Sequence, residues 1–375
     1  MHILLIPDSF KDSISATDII AALDQGFARL NAGITTEHCV ASDGGEGFLD
    51  FVQRYVAVDI IKTRTVDPLG REIETTYAFA KANKTAYIEL AKASGLELLK
   101  TDERNPMHTS TYGTGLQIRD AIENGAEEIV VGLGGSTTND GGAGIAQALG
   151  FSFLDENGEE LEIKGEVLSQ IKTIKKPASL KLPQLYAVND VDNILTGTQG
   201  AAHTYGKQKG ASPQEIQHLD KGLLHLSHIV QKDLQQDEAN TPGAGAAGGT
   251  GYGLKVFGNA SFIPGVNFLA RVSGIAQALE KGTIDLIITG EGSIDHQTKR
   301  GKLVKGVAVL GAKHNIPVVA ICGINQLDEA GTQSLGLQKV FTVADRASSK
   351  EDSINNARQY IKALAREIYA FWKEQ

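Results

Sequence analysis

The sequence predicts an α/β protein of two domains: a Rossmann-like, parallel three-layer α/β/α domain and a second, mixed-sheet α/β domain. Three observations predict it. Apolar strand-like runs alternate with helix-spaced runs at both ends of the chain, the pattern of parallel β-α units. The texture between them changes to strand-turn-strand, with VDIIKTRTV and REIETTYAFA joined by Asp67-Pro68-Leu69-Gly70. A chain of 375 residues also exceeds one ordinary core, and about two domains follow at roughly 150 residues each. The parallel domain is expected from residues 1–60 and 280–375, discontinuous and open to part of 107–150, with 61–279 inserted.

The elements follow in order. HILLIP reads as a first strand, DSFKDS as a loop, and Ser15 to Arg29 as a helix with Ser15 and Asp18 in capping-box spacing. ITTEHCVA, DGGEG and FLDFVQRYV repeat strand, turn and helix. After the antiparallel meander and the strand AYIEL come a helix around GLQIRDAIENG, the strand EEIVVGL, a glycine loop and the helix AGIAQAL. FSFLDENGEELEI reads as a hairpin turning at Asn157-Gly158, followed by the strand QLYAVND. Ser212-Pro213-Gln214-Glu215 starts a helix expected to reach Gln236, because a capping serine, a proline at the first position and a glutamate at the third favour it. Residues 241 to 253 are too glycine-rich for a regular element. IDLIITG, IPVVAICG and KVFTVAD then alternate with helices, the last expected over Asp352 to Lys373.

Composition narrows the function. Apolar content of 41% and charged content of 22% are those of a globular protein, and the 42 glycines follow no period. The net charge of -9 argues against nucleic-acid and anionic-membrane partners, which need basic surface to displace counterions. Cys39 and Cys322 lie in or beside predicted strands and read as core residues, which suits a reducing cytoplasm. MHILLIPDSF lacks the layout of a signal peptide, and no apolar run reaches the ~18 residues of a membrane span.

Polar, glycine-rich loops recur after predicted strands: DSFKDS, DGGEG, GGSTTNDGGAG and GEGSID. In a parallel sheet these are the carboxyl ends, where ligands collect. The stretch 132–150 has no Walker Gly-Lys-Ser/Thr, and Gln147 stands where a dinucleotide motif needs its third glycine. What remains is a strand, a loop of small residues and a helix start, which suits an anion; equally, the glycines suit close packing. Asn139 and Asp140 are placed to orient phosphate oxygens or a magnesium ion, against the simpler reading of a helix cap. Asp43, Glu46, Glu291 and Asp295 add carboxylates suited to magnesium, and Asp190 ends a strand as a candidate base. Lys11, Lys207, Lys209 and Lys302 are the cations near these loops, while Arg71 reads as a surface residue. His218, His225 and His228 share a helix without completing a metal set.

Taken together, PDSFKDSISA (7–16), DGGEG (43–47), GGSTTNDGGAG (134–144), DVDN (190–193), QKGA (208–211), PGAGAAGG (242–249) and TGEGSIDHQT with GK (289–302) resemble the bacterial glycerate kinase type 1 family, over nearly the whole chain and in order. The resemblance implies ATP-dependent phosphorylation of D-glycerate to 2-phosphoglycerate, with Mg²⁺, on a two-domain α/β fold with the site in the cleft between domains. Departures from the family pattern include Phe48 after DGGEG, Thr137, Ile194 after DVDN, Tyr205-Gly206-Lys207 in place of Phe-Gly-Pro, and Val304 after GK. Residue chemistry and loop position then assign Asp190 as base, Lys11 and Lys302 as anion neutralisers, and Glu291 and Asp295 as metal or phosphate-orienting groups. ATP and substrate would be met by Gly134, Gly135, Ser136, Asn139, Asp140, Gly245, Gly248, Gly249, Asp43 and Glu46. The competing readings are a nicotinamide-dependent oxidoreductase on a small hydroxy acid, which Gln147 disfavours, and a small-acid sensor. A homo-oligomer stays open under each.

Overall fold

A computed structural model describes residues 1–30, 33–40, 47–295, 298 and 303–375. The chain forms two compact units, 1–43 with 265–375, and 44–264. The unit boundaries therefore lie near 43 and 265, outside 107–150, which belongs to the second unit throughout.

The first unit opens with β1 (His2–Pro7), α1 (Ala16–Ala28) and β2 (Thr35–His38). Ser15 caps α1 by accepting from the Asp18 backbone N–H. The second unit follows with α2 (Phe48–Tyr55), β3 (Asp59–Val66), β4 (Glu72–Ala80), β5 (Thr85–Glu89), α3 (Ala91–Ser94), α4 (Tyr112–Glu123) and β6 (Glu128–Gly132). It continues through α5 (Ala143–Ala148), β7 (Ser152–Leu154), β8 (Thr173–Lys175), β9 (Gln184–Val188), α6 (Ala201–Tyr205), α7 (Pro213–Leu234), α8 (Ala246–Gly258) and β10 (Ser261–Ile263). The chain returns to the first unit with α9 (Gly265–Ser273), α10 (Ile275–Glu280), β11 (Leu286–Ile294), α11 (Leu303–Lys313), β12 (Val318–Asn325), α12 (Glu329–Ser334), β13 (Lys339–Thr342), α13 (Lys350–Asn355) and α14 (Ala357–Lys373).

The first unit's sheet runs β13-β12-β11-β1-β2, and all its pairings are parallel. Period-two alternation gives each strand two apolar faces. Ile3, Leu5, Ile288, Val319 and Ile321 pack with Ile19, Leu23, Ile361 and Leu364 of α1 and α14. On the opposite face α11 comes so close that a Cβ on Gly311 would lie 2.2 Å from the Val318 side chain. Three layers result. β2 and β11 flank β1 on opposite sides, so the strand order reverses there, and the carboxyl ends of β1 and β11 open onto the crevice such sheets offer ligands. The single terminal helix expected over 352–373 is instead two helices, because Asn356 leaves helical geometry at φ -111° and ψ 17°.

The second unit's sheet runs β10-β9-β6-β5-β4-β3, with the first four strands parallel and β4 and β3 antiparallel. The β3–β4 turn forms where expected: Asp67 accepts from the backbones of Leu69 and Arg71, and Gly70 adopts φ 86°. One core lies between this sheet and α4, α5 and α8, with Ile88, Ile118, Ile145 and Leu254. A second gathers Phe151, Phe153 and Phe257 against Leu223, Leu226 and Val230 of α7. The capping box of Ser212 and Glu215 starts α7 as anticipated, and left-handed Gln235 ends it.

Three local expectations change. The turn at Asp155–Glu159 forms, but β7 pairs with β8 in place of a hairpin partner, since only Leu154 bridges Glu160. Residues 250–258 are helical despite their glycines. Those glycines admit neighbouring backbone, as a Cβ on Gly253 would meet Gly141 O at 2.4 Å. GEGSI is not a loop, because Ser293 and Ile294 extend β11 by pairing with Ile324 and Asn325.

Candidate active site

In the second unit β5, β6 and β9 end side by side, Glu89 in register with Gly132 and Gly132 with Val188. The loop after β6 is tied at three points: Leu133 N donates to Val188 O, Thr137 N to Ser94 O, and Gly141 N to Gly248 O. The backbone N–H groups of Gly134, Gly135, Ser136, Thr138, Asn139 and Asp140 have no protein acceptor among the described residues. Buried N–H groups are nearly always paired. Ser136 to Asp140 are buried, so this run of donors is what an anionic ligand would satisfy.

Asn139 and Asp140 sit in this loop and differ sharply. Asn139 is 1% exposed, and neither its Oδ1 nor its Nδ2 has a hydrogen-bond partner. Asp140 is fully buried and accepts from Thr111 N (2.7 Å), Thr111 Oγ1 (2.8 Å), Gly142 N (3.1 Å) and Gly144 N (3.2 Å). Burial pushes its carboxyl up from the usual range, against these donors. Thr111 Oγ1 accepts from Ile145 N, so its own proton goes to Asp140. A proton on Asp140 would then face donors alone, so these hydrogen bonds oppose the rise that burial causes in its carboxyl. Its oxygens are committed to organising the starts of α4 and α5, which leaves the phosphate or magnesium role to others.

The two lysines of the 207–209 turn also part company. Lys207 is exposed, whereas Lys209 is 2% exposed and its Nζ donates to Ser136 Oγ and Thr138 O, both at 2.7 Å. Burial lowers the Lys209 ammonium to about 7, with the Asp140 charge pulling it back up. Lys209 forms no ion pair among the described residues.

The 243–249 loop lies on the 134–144 loop, backbone against backbone. A Cβ on Gly248, at φ 70°, would sit 1.9 Å from Thr138 O, and one on Gly249 would sit 2.9 Å from Gly141 Cα. On Gly245 it would meet Ile194 O at 2.3 Å. These three glycines serve close approach. Asn193 knits the region: its carbonyl accepts from Gly245 N, its Nδ2 donates to Gln199 O and Thr204 Oγ1, and its Oδ1 accepts from Tyr205 Oη. A phenylalanine at 205 would lack that last bond. Asp190 follows β9 half-buried, beside Asn189, whose N donates to Ile263 O.

In the first unit Glu291 is 9% exposed, and its Oε1 accepts from Thr298 Oγ1 at 2.5 Å. Asp295 accepts from Thr298 N and donates its own N–H to Thr298 Oγ1. One threonine thus gathers both carboxylates. Lys11 is exposed in the turn after β1, and Gly292 approaches its backbone N to 3.5 Å, measured from an added Cβ. Among the described residues no cluster of three His, Cys, Asp or Glu side chains is arranged to hold a metal. Magnesium needs fewer, since it is commonly held by one or two carboxylates with waters and substrate phosphates. Glu291 and Asp295 supply oxygen donors of that kind. Asp43, Glu46 and Lys302 lie outside the described residues.

Other residues had little or no signal in the sequence. Glu89, 2% exposed at the end of β5, accepts from Leu49 N at 3.0 Å and is raised by burial. Its position as the last strand residue was the only cue. Asp8 follows β1 at the strand-order reversal and accepts from Ser9 N. Gln147 has a structural task, donating to Leu161 O and accepting from Ile163 N, which accounts for an amide where a nucleotide loop would have glycine. His218 and His225 bond the carbonyls of Glu166 and Ile171, consistent with helix packing. Cys39 and Cys322 are buried free thiols.

Fold and site define a class: a two-unit α/β protein whose glycine loops and carboxylates gather at the carboxyl ends of parallel strands. Residues 3–373 match the model of the glycerate kinase family. The chain is 39% identical to glycerate kinase of Halalkalibacterium halodurans, over 98% of this chain and 97% of that one. It is 35% identical to glycerate 2-kinase of Escherichia coli K12, over 99% and 97%. A crystal structure from Salmonella typhimurium LT2, described as a glycerate kinase 2, superposes with a TM-score of 0.78 at 35% identity, covering 100% of this chain and 98% of that one. The chain belongs to the glycerate kinase family, a family of phosphotransferases. Among the described residues no helix is long and apolar enough to cross a membrane.

Proposed function

We propose that the protein transfers the γ-phosphoryl group of ATP to D-glycerate, giving 2-phosphoglycerate, in the cytoplasm and with Mg²⁺. The observation carrying this reading is the 134–140 loop, in which every N–H group but that of Thr137 lacks a protein acceptor among the described residues, above a buried lysine in a chain of this family. Such transfers depend on positioning and on neutralising charge spread over the phosphoryl oxygens. Asp190 is assigned as the base that takes the proton of the attacking hydroxyl. Glu291 and Asp295 would hold Mg²⁺, which when bound offsets phosphate charge, and Lys11 and Lys302 add fixed positive charge. Gly134, Gly135, Ser136 and Asn139 offer donors to phosphate or substrate, with Asp43 and Glu46 assigned to the nucleotide side.

The test incubates the protein with ATP, Mg²⁺ and D-glycerate, follows ADP, and identifies the product by phosphorus NMR. ADP formation dependent on glycerate, with a 2-phosphoglycerate signal, is expected; a 3-phosphoglycerate signal would overturn the regiochemistry. Asp190→Asn should lower kcat by about 10²–10⁴, and near-wild-type turnover by a folded variant would reject the base assignment.

A further inference from the structure

Lys209 presents an imbalance that the proposed chemistry does not itself use. Lysines are almost never fully buried unless paired, because an ammonium withdrawn from water needs a compensating charge. Lys209 is 2% exposed and bonded to two neutral oxygens, Ser136 Oγ and Thr138 O. An ammonium has three donors, so one N–H has no protein acceptor among the described residues. The charge acting on it, Asp140, is committed to four other donors. Among the described residues no other charge acts on it. Lys207 of the same turn is exposed, Arg104 beside Gly210 gives its Nε to Leu99 O, and Glu215 at the start of α7 is held by Asn105 and Ser212. The segment that Lys209 grips also carries the unpaired N–H groups and the unpartnered Asn139 carboxamide. Buried positive charge and unfilled donors therefore coincide, and the missing partner is an anion.

We propose that anion binding at the 134–140 loop is coupled to the charge on Lys209, a positioning residue that holds the loop through Ser136 and Thr138 and takes up a proton when a carboxylate or phosphate docks. The inference rests on reading this loop as an anion site. The proton comes from solvent to Nζ, and no covalent bond changes. In the free protein burial holds the ammonium at about 7, so at pH 8 most Lys209 is neutral. A docked anion favours the charged form and raises that value. Proton uptake is therefore large at pH 8 and vanishes below pH 6, where Lys209 is already charged.

Calorimetric titration in two buffers of different ionisation enthalpy measures that uptake without turnover. D-glycerate alone and Mg·ATP alone form two arms that distinguish carboxylate from phosphate. Uptake of roughly 0.5–1 proton at pH 8 in one arm is expected, with affinity weakening up to about tenfold per pH unit above 7. Lys209→Met should abolish the uptake, and Lys209→Arg should bind with little pH dependence. A merely structural lysine would change stability and leave proton uptake as in wild type. Should either variant fail to fold, the wild-type titration decides alone. Wild-type binding without uptake in both arms, no binding of either ligand, or equal uptake in folded Lys209→Met each overturns the proposal. Proton-coupled binding without phosphoryl transfer would support it while rejecting the proposed reaction.

Discussion

In the first unit the polar groups at the strand ends are side chains carried by a regular strand: Glu291 and Asp295 share Thr298 at the end of β11. In the second unit they are mainly backbone, a loop with unfilled N–H groups whose shape Asp140 and Lys209 enforce from beneath. Each stands at the carboxyl ends of parallel strands in its own sheet. The first arrangement sets its carboxylates around one threonine, while the second ties its buried charges to the backbone of the loop itself.

Exchanging the carboxylates tests that contrast most severely. Asp140→Asn would turn an amide donor onto backbone N–H groups in a fully buried site, at a cost of about 3–5 kcal/mol. Glu291→Gln keeps an acceptor for Thr298 and should cost less than Asp140→Asn while raising KM for Mg·ATP. Denaturant unfolding of both variants checks this, and equal losses would erase the distinction.

Glycine substitution sharpens it next. Gly248→Ala drives a methyl into Thr138 O, an atom that also binds Lys209, and should cost about 2–4 kcal/mol. Gly158→Ala, at φ 80° with nothing within 4 Å, should cost only about 1 kcal/mol.

The buried lysine gives the second unit a pH signature. Its folded value, about 7, lies below the ordinary 10.5, so between these the unfolded chain binds more protons and stability rises with pH. Relative to Lys209→Met, the wild type should gain about 2 kcal/mol from pH 7 to pH 9. A thermal-unfolding difference that stays flat over this range would contradict the depressed value. A small effect is also expected from Tyr205→Phe, which removes the bond to Asn193 and should cost ~1 kcal/mol in denaturant unfolding.

Local rules made much of the fold legible. Ser15 and Ser212 mark helix starts because a side-chain oxygen satisfies N–H groups that the helix leaves open. Continuous apolar runs such as LLI and IVV forecast buried parallel strands. The glycines at 245, 248 and 249 were expected to meet ATP or substrate; close approaches of 1.9 to 2.9 Å show that packing needs them. Their neighbours across space, Ile194, Thr138 and Gly141, are distant in sequence. Asp140 and Lys209 were indistinguishable from a cap and a surface lysine for the same reason.

By itself the sequence determined the α/β class, the helix starts, the turn at Asp67–Gly70 and the strand-end positions of the polar loops after β1 and β6, since each follows from residue period and neighbour chemistry within a few positions. Only the tertiary structure decided which unit holds which loop, that Asp140 faces four donors, and that Lys209 is buried beneath Ser136. Desolvation and hydrogen bonding depend on groups 29 and 73 residues away. No local pattern encodes that meeting, and a residue's charge is set by what surrounds it.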